Sequence, residues 1–235
     1  MKMFNLRIYL SILIVGLLVS MIVGCKKKNK VINNDNLHVY NESKIIDSIP
    51  IKDYEVKIGN QIWMIQNLNV DTFRNGDIIP EVTDPIEWSK LRAPAWCNLG
   101  NVKENGECYG KLYNWYAVND PRGLATNGYH IPSLAEWNEL VKSLGGVKSA
   151  NKSLRSTNGW IADRSFNVSG FSAIPAAYRS KDGTFYNAGY FAGWWTITEN
   201  DKNCVFVFGL GWDRYETAVE KIAKEFGISV RCLRD

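Results

Sequence analysis

The stretch GYHIPSLAEWNELVKSLGG, residues 128–146, holds His130, the one histidine after residue 50. Imidazole is the commonest general base, and in that role it needs a nucleophile to deprotonate and a third group to orient it. No serine or cysteine nucleophile motif surrounds His130, so it reads as framework beside a helix entrance. Carboxylates offer a second chemistry. Glu199 and Asp213 are candidates for glycosidic cleavage, which calls for two carboxyl groups about 5 to 10 Å apart. The sequence defines no such pair, and hydrolysis is therefore the alternative reading rather than the first.

The aromatic stretch GYFAGWWTITEND, residues 189–201, suggests binding instead. Aromatic faces stack on the apolar faces of sugars and anchor protein interfaces. Neighbours on a strand point oppositely, so an extended Trp194–Trp195 pair sends one ring away from the core. That ring would line a pocket with Glu199, Asn200 or Asp201, and Arg179, Tyr186 and Asp213 are further polar candidates. The plain alternative is that both rings fill the core. Hard cations need about six to eight oxygen ligands from several segments. Glu199-Asn200-Asp201 alone is too short a signal, so neither calcium nor any other cofactor is predicted.

Five cysteines add a redox argument. With Cys25 assigned below to lipid, four remain, and four allow three pairings. Favoured are Cys97 with Cys108, closing a short polar loop, and Cys204 with Cys232, joining two strand-like segments; buried free thiols are the alternative. The spacings do not suit zinc.

Positioning such groups requires elements. Ser133 and Glu136 form a capping box. Leu134, Trp137, Leu140, Val141 and Leu144 follow at helical spacing, and Gly145-Gly146 ends the helix. Val56 and Ile58 before Gly59-Asn60, with Ile62 and Met64 after it, predict a β-hairpin. GKLYNWYAVND, residues 110–120, predicts a second short helix with Leu112, Trp115 and Tyr116 facing inward. CVFVFGL (204–210) and GISVRCL (227–233) read as strands, SGFSAIPAAYR holds a short one, and TAVEKIAKEF fits either helix or strand. Pro80, Pro85 and Pro94 break residues 70–110 into loops. Loops of that length are usually functional or specially supported, and nine tryptophans supply bulk that regular elements do not. One α+β domain is expected, with a small mixed sheet, two short helices and long ordered loops.

The N-terminus is of another kind. Lys2 and Arg7 precede an uncharged run, residues 8–25, IYLSILIVGLLVSMIVGC. A charged start, an apolar middle and small residues near its end make an export signal, and Ile22-Val23-Gly24-Cys25 resembles the bacterial lipobox. Residues 1–24 are then a cleaved signal and Cys25 the lipidated first residue. Residues 25–50 are a polar, lysine-rich tether, and residues 51–235 the domain; an uncleaved anchor is the alternative. Residues 51–235 carry 21 Lys+Arg and 21 Asp+Glu, so the formal charge of +4 belongs wholly to signal and tether. A neutral domain lacks the basic field that nucleic acid binding needs. The expected place is the cell envelope, at the outer membrane, with the membrane as partner through the lipid.

Six segments carry a family resemblance: IGNQIWMIQNLNV, FRNGDIIP, YGKLYNWYAVNDPRGLATNGYHIPSLAEWNEL, SGFSAIPAAYR, GWWTITE and SVRCLRD. In that order they resemble the Fibrobacter succinogenes major paralogous domain, across about residues 54–235. HIPSLAEWNEL is also similar, more distantly, to the RLPTEAEWE segment of formylglycine-generating enzyme-like domains. That likeness implies a C-type-lectin-like core with both chain ends on one sheet. It does not carry formylglycine generation, because Cys204 and Cys232 are assigned to a bridge, and His130 stands where those domains usually have Arg. An exported, neutral, tryptophan-rich and loop-rich domain with a lectin-like resemblance is read as a lipid-anchored, non-catalytic binding or adhesion module whose ligand is a glycan or an envelope protein; an envelope polysaccharide-acting enzyme is the alternative.

Overall fold

Alternating apolar residues on both sides of Gly59-Asn60 fold as their spacing requires. In the computed structural model, β1 (Glu55–Ile58) and β2 (Gln61–Met64) pair antiparallel, with Ile58 opposite Gln61. Gly59 takes φ +59°, a value that a side chain would resist at the first position of so tight a turn. The structure describes residues 51–161, 167–211 and 217–235, all within one compact unit, Ile49–Asp235. Cys25, the signal, the tether and Asp213 lie outside the described residues.

The first and last strands of the described unit belong to the same sheet. β11 (Leu233–Arg234) lies between β2 and β5 (Tyr129–His130), giving the order β1-β2-β11-β5. A second sheet has the order β10-β9-β8, from β8 (Phe191–Glu199), β9 (Cys204–Gly211) and β10 (Thr217–Ala223), all antiparallel. The ambiguous TAVEKIAKEF segment is thus mainly strand. Two-stranded ribbons complete the β structure: β3 (Trp96–Asn98) with β4 (Lys111–Tyr113), and β6 (Tyr178–Arg179) with β7 (Phe185–Tyr186). The domain is α+β.

Five helices are described rather than two. They are α1 (Pro85–Lys90), α2 (Lys103–Tyr109), α3 (Trp115–Val118), α4 (Leu134–Ser143) and α5 (Val147–Leu154). The capping box of α4 is present: the Glu136 amide donates to Ser133 Oγ at 3.3 Å, and the Ser133 amide to Glu136 Oε2 at 2.7 Å. The helix expected over residues 110–120 is instead β4 followed by α3. Asn114 divides them, because its Oδ1 accepts from the Ala117 amide as a helix cap and from the Ala95 amide beside β3. Residues 227–232 run extended without forming a regular strand. They make single bridges from Gly227 to Arg179, Ile228 to Tyr113 and Ser229 to Trp194.

Two apolar clusters cover opposite faces of the second sheet. On one side Trp137 of α4 stacks on Phe208 with ring centres 4.4 Å apart, and Trp63, Phe171 and Trp194 join it. On the other, Trp195, Val205 and Val207 pack with Tyr113, Trp115, Ile228 and Val230. Buried arginines tie down the loops. Arg179 donates to the carbonyls of Val82, Thr83 and Gly183 at 2.6–2.9 Å. Arg231 donates to Met64 O, Phe171 O and Asn67 Oδ1 at 2.8–3.1 Å. Each satisfies backbone acceptors that a loop would otherwise bury unpaired.

The disulfide expectation is corrected. No bridge joins Cys97 to Cys108 or Cys204 to Cys232. Cys97 points into a cluster with Val82, Trp88, Ala95 and Leu112, and Cys232 into the main core. Cys204 opens β9 in one sheet, whereas Cys232 stands beside the other. Burial pushes the Cys97 and Cys232 thiols up to about 12, so both are inert as thiols.

Candidate functional site

Trp194 and Trp195 do point oppositely, yet neither is free. Both are fully buried, because the strand that carries them has a packed face on each side. Trp194 Nε1 donates to Asn67 Oδ1 at 2.8 Å and Trp195 Nε1 to Tyr113 O at 2.7 Å, so even their polar atoms are engaged. The pair fills the core and is withdrawn from the candidate site. Arg179 is withdrawn on the same ground. Its guanidinium is fully buried among loop carbonyls and lies over the Trp88 ring at 4.5 Å.

Glu199, Asn200 and Asp201 close the β8–β9 turn. Asp201 Oδ1 accepts from the Asn203 and Cys204 amides at 2.8 and 2.9 Å, and these bonds hold its carboxyl below the usual range. Glu199 pairs with Lys224 at 3.1 Å. These groups serve the turn and its flank. Tyr186 is 43 % exposed, and its ring centre lies 5.8 Å from that of Tyr178. Among the earlier candidates it is the one that leads to a cavity.

That cavity is a cleft of about 330 Å³ over the second sheet. Tyr178, Tyr190, Phe191 and Phe226 supply its aromatic walls, and Asn187 and Glu220 its polar groups. Strand register explains the convergence. Phe191 stands opposite Gly211, Ala218 opposite Gly209, and Glu220 opposite Val207, so one sheet face presents all of them. Gly193 and Gly209 face each other across β8 and β9, and the Phe191 ring lies over both. Tyr178 is flanked by Phe191 and Phe226, with ring centres 5.8 and 5.9 Å away. Burial, with Tyr186 and Glu220 nearby, raises the Tyr178 phenol above its ordinary value, so it remains a neutral donor at working pH.

The cleft residues were within reach of the sequence. Tyr190 and Phe191 lie in the aromatic stretch singled out there, and Tyr178 in SGFSAIPAAYR. For Phe191 the signal is an aromatic residue two positions before a strand glycine, Gly193. His130 is framework, as its sequence setting implies. Its Nδ1 meets Asp235 Oδ1 and its Nε2 meets Glu136 Oε1, both at 2.9 Å, which clamps the chain end to α4. Among the described residues no group of three His, Cys, Asp or Glu is placed to hold a metal ion.

A family model described as the Fibrobacter succinogenes major domain matches residues 56–234. The match spans well over half of the chain, and the chain belongs to that family. No curated protein and no solved structure matches it.

Proposed function

We propose that this chain is an exported, lipid-anchored binding module of the bacterial cell envelope that seats a glycan in the aromatic cleft without transforming it. The observation that carries the reading is the convergence of Tyr178, Tyr190, Phe191 and Phe226 with Asn187 and Glu220 around one cleft. Apolar walls with a few polar groups are the usual make-up of a small-ligand site, and flat rings suit the apolar face of a sugar. Among the described residues the lining holds one carboxylate, Glu220, where glycosidic cleavage by the usual routes calls for two. Binding needs none. The leader ending in Ile22-Val23-Gly24-Cys25 supports export and acylation.

The test is binding of the full chain, held in detergent, to immobilised oligosaccharides. Tyr178→Ala with Tyr190→Ala should weaken capture by about 30-fold or more, the usual cost of losing an aromatic anchor, while the thermal melt stays cooperative. Glycan capture that is unaffected by the double substitution removes the cleft from consideration. A chain that captures an envelope protein through this cleft, and no sugar, assigns the site to protein recognition instead.

A further inference from the structure

A second cavity has a volume of about 340 Å³. Its lining brings together four cations from four separate segments: Arg92 after α1, Lys181 in the β6–β7 turn, Lys202 in the β8–β9 turn and Lys224 after β10. Glu225 is the carboxylate in that lining. It pairs with Arg92 at 3.0 Å, and Glu199 beside the cavity pairs with Lys224 at 3.1 Å. Two positive charges remain in surplus, those of Lys181 and Lys202, neither of which has an ion-pair partner among the described residues. Asp182 and Asp201, beside them in sequence, keep their charge while accepting from turn amides, but neither lines the cavity. In a domain with equal numbers of acidic and basic residues, such a local surplus is a matter of placement rather than composition.

The scaffold under these groups is fixed. The Trp88 indole donates to Glu225 O at 2.9 Å, the Trp115 amide donates to Lys224 O at 3.0 Å, and the Lys224 ammonium lies 4.4 Å from the centre of the Trp115 ring. Ser89, Tyr116 and Asn203 add neutral polar groups to the lining. The two cavities share their supports. The β6–β7 hairpin gives Tyr178 to one and Lys181 to the other. Ile222 lines the first and Ala223 the second, on opposite sides of β10, and beyond the strand's end Lys224 and Glu225 line the second while Phe226 returns to the first. A ligand of a few sugar units resting on the aromatic walls would reach the cationic basin around the end of β10, which is an edge strand of its sheet.

We infer that the glycan is acidic, with its anionic group (a carboxylate, sulfate or phosphate) seated between Lys181 and Lys202 in the second cavity. This rests on the binding reading of the aromatic cleft and adds the chemical class of its ligand. The test uses the full chain in detergent on an array of neutral, uronate-bearing, sulfated and phosphorylated oligosaccharides, at low and high salt. The expected hits are acidic glycans, and the winning subset names the anion. Lys181→Ala with Lys202→Ala should cut their capture about tenfold or more, and added salt should do likewise, with the melting temperature unchanged. The tyrosine double variant should lose the same hits. A preference for neutral glycans, or acidic hits indifferent to the lysine pair, overturns the inference and leaves the aromatic cleft standing. An array with no hits at all sinks both.

Discussion

His130 shows how a residue suited to catalysis can be committed to architecture. Burial works against a charge on its ring, but the bonds to Asp235 and Glu136 outweigh it and raise the pKa above 6.5. The same contacts, with the Ser133 bonds, hold the Glu136 carboxyl below its usual value despite partial burial. A histidine with a raised folded-state pKa contributes stability that is whole below its unfolded pKa and disappears as pH climbs through the folded one. The clamp should therefore be strongest in mild acid and absent in alkali. Both carboxylates keep solvent contact, with Asp235 at 58 % and Glu136 at 35 % exposure, so the gain is modest. His130→Ala is expected to lower the melting temperature by about 2–4 °C at pH 5.5, with the gap closing by pH 9. A gap that is constant across this range would show that the ring acts by packing and not by charge.

At the scale of elements, the floor of the aromatic cleft depends on two residues without side chains. A Cβ on Gly193 would come within 2.5 Å of the Phe191 ring, and one on Gly209 within 2.8 Å. Neither glycine has a positive φ, so backbone strain plays no part and the conflict is steric alone. Gly193→Ala should lift Phe191 into the cleft, costing about 1–3 kcal/mol and weakening glycan capture. Pairing it with Phe191→Ala should relieve much of the stability loss, because the two changes address one contact. Strictly additive losses in a thermal or urea melt would refute that contact. The same elements show what was readable beforehand. The hairpin and the capped α4 follow from local patterns and glycine turns. Between the two readings of Trp194 and Trp195, one ring exposed or both in the core, the pattern does not choose, because alternation tells which face a side chain takes and not whether that face is covered; both are buried. Likewise the 110–120 segment has helical spacing, but one asparagine serving two amides splits it. The buried guanidiniums of Arg179 and Arg231 left no trace in pattern, since their acceptors are carbonyls on distant loops.

For the whole molecule, charge can be weighed against lipid as the means of the membrane attachment proposed above. With residues 1–24 removed, as the proposal requires, residues 25–50 keep five lysines against three acidic residues, and residues 51–235 add no net charge. A surplus of two cations is worth about 1 kcal/mol apiece at an anionic surface and vanishes within a Debye length in salt. Acyl chains contribute about 0.8 kcal/mol for each buried methylene, indifferent to salt, and two or more hold a protein durably. Among the described residues no helix is long and apolar enough to cross a bilayer. On the lipid-anchored reading proposed above, the anchor comes from the leader and Cys25, with an uncleaved span as the alternative to lipid. These differ in mass. The mature polypeptide is expected to begin at Cys25, heavier by its acyl groups, and to stay with membranes through a wash in concentrated salt until detergent is added. Cys25→Ala should block lipidation and leave the leader attached, which the intact mass reads directly. Recovery of native chains that start at Met1, or of Cys25 as a bare thiol, would rule out lipid as the anchor and return the apolar leader to the role of a span.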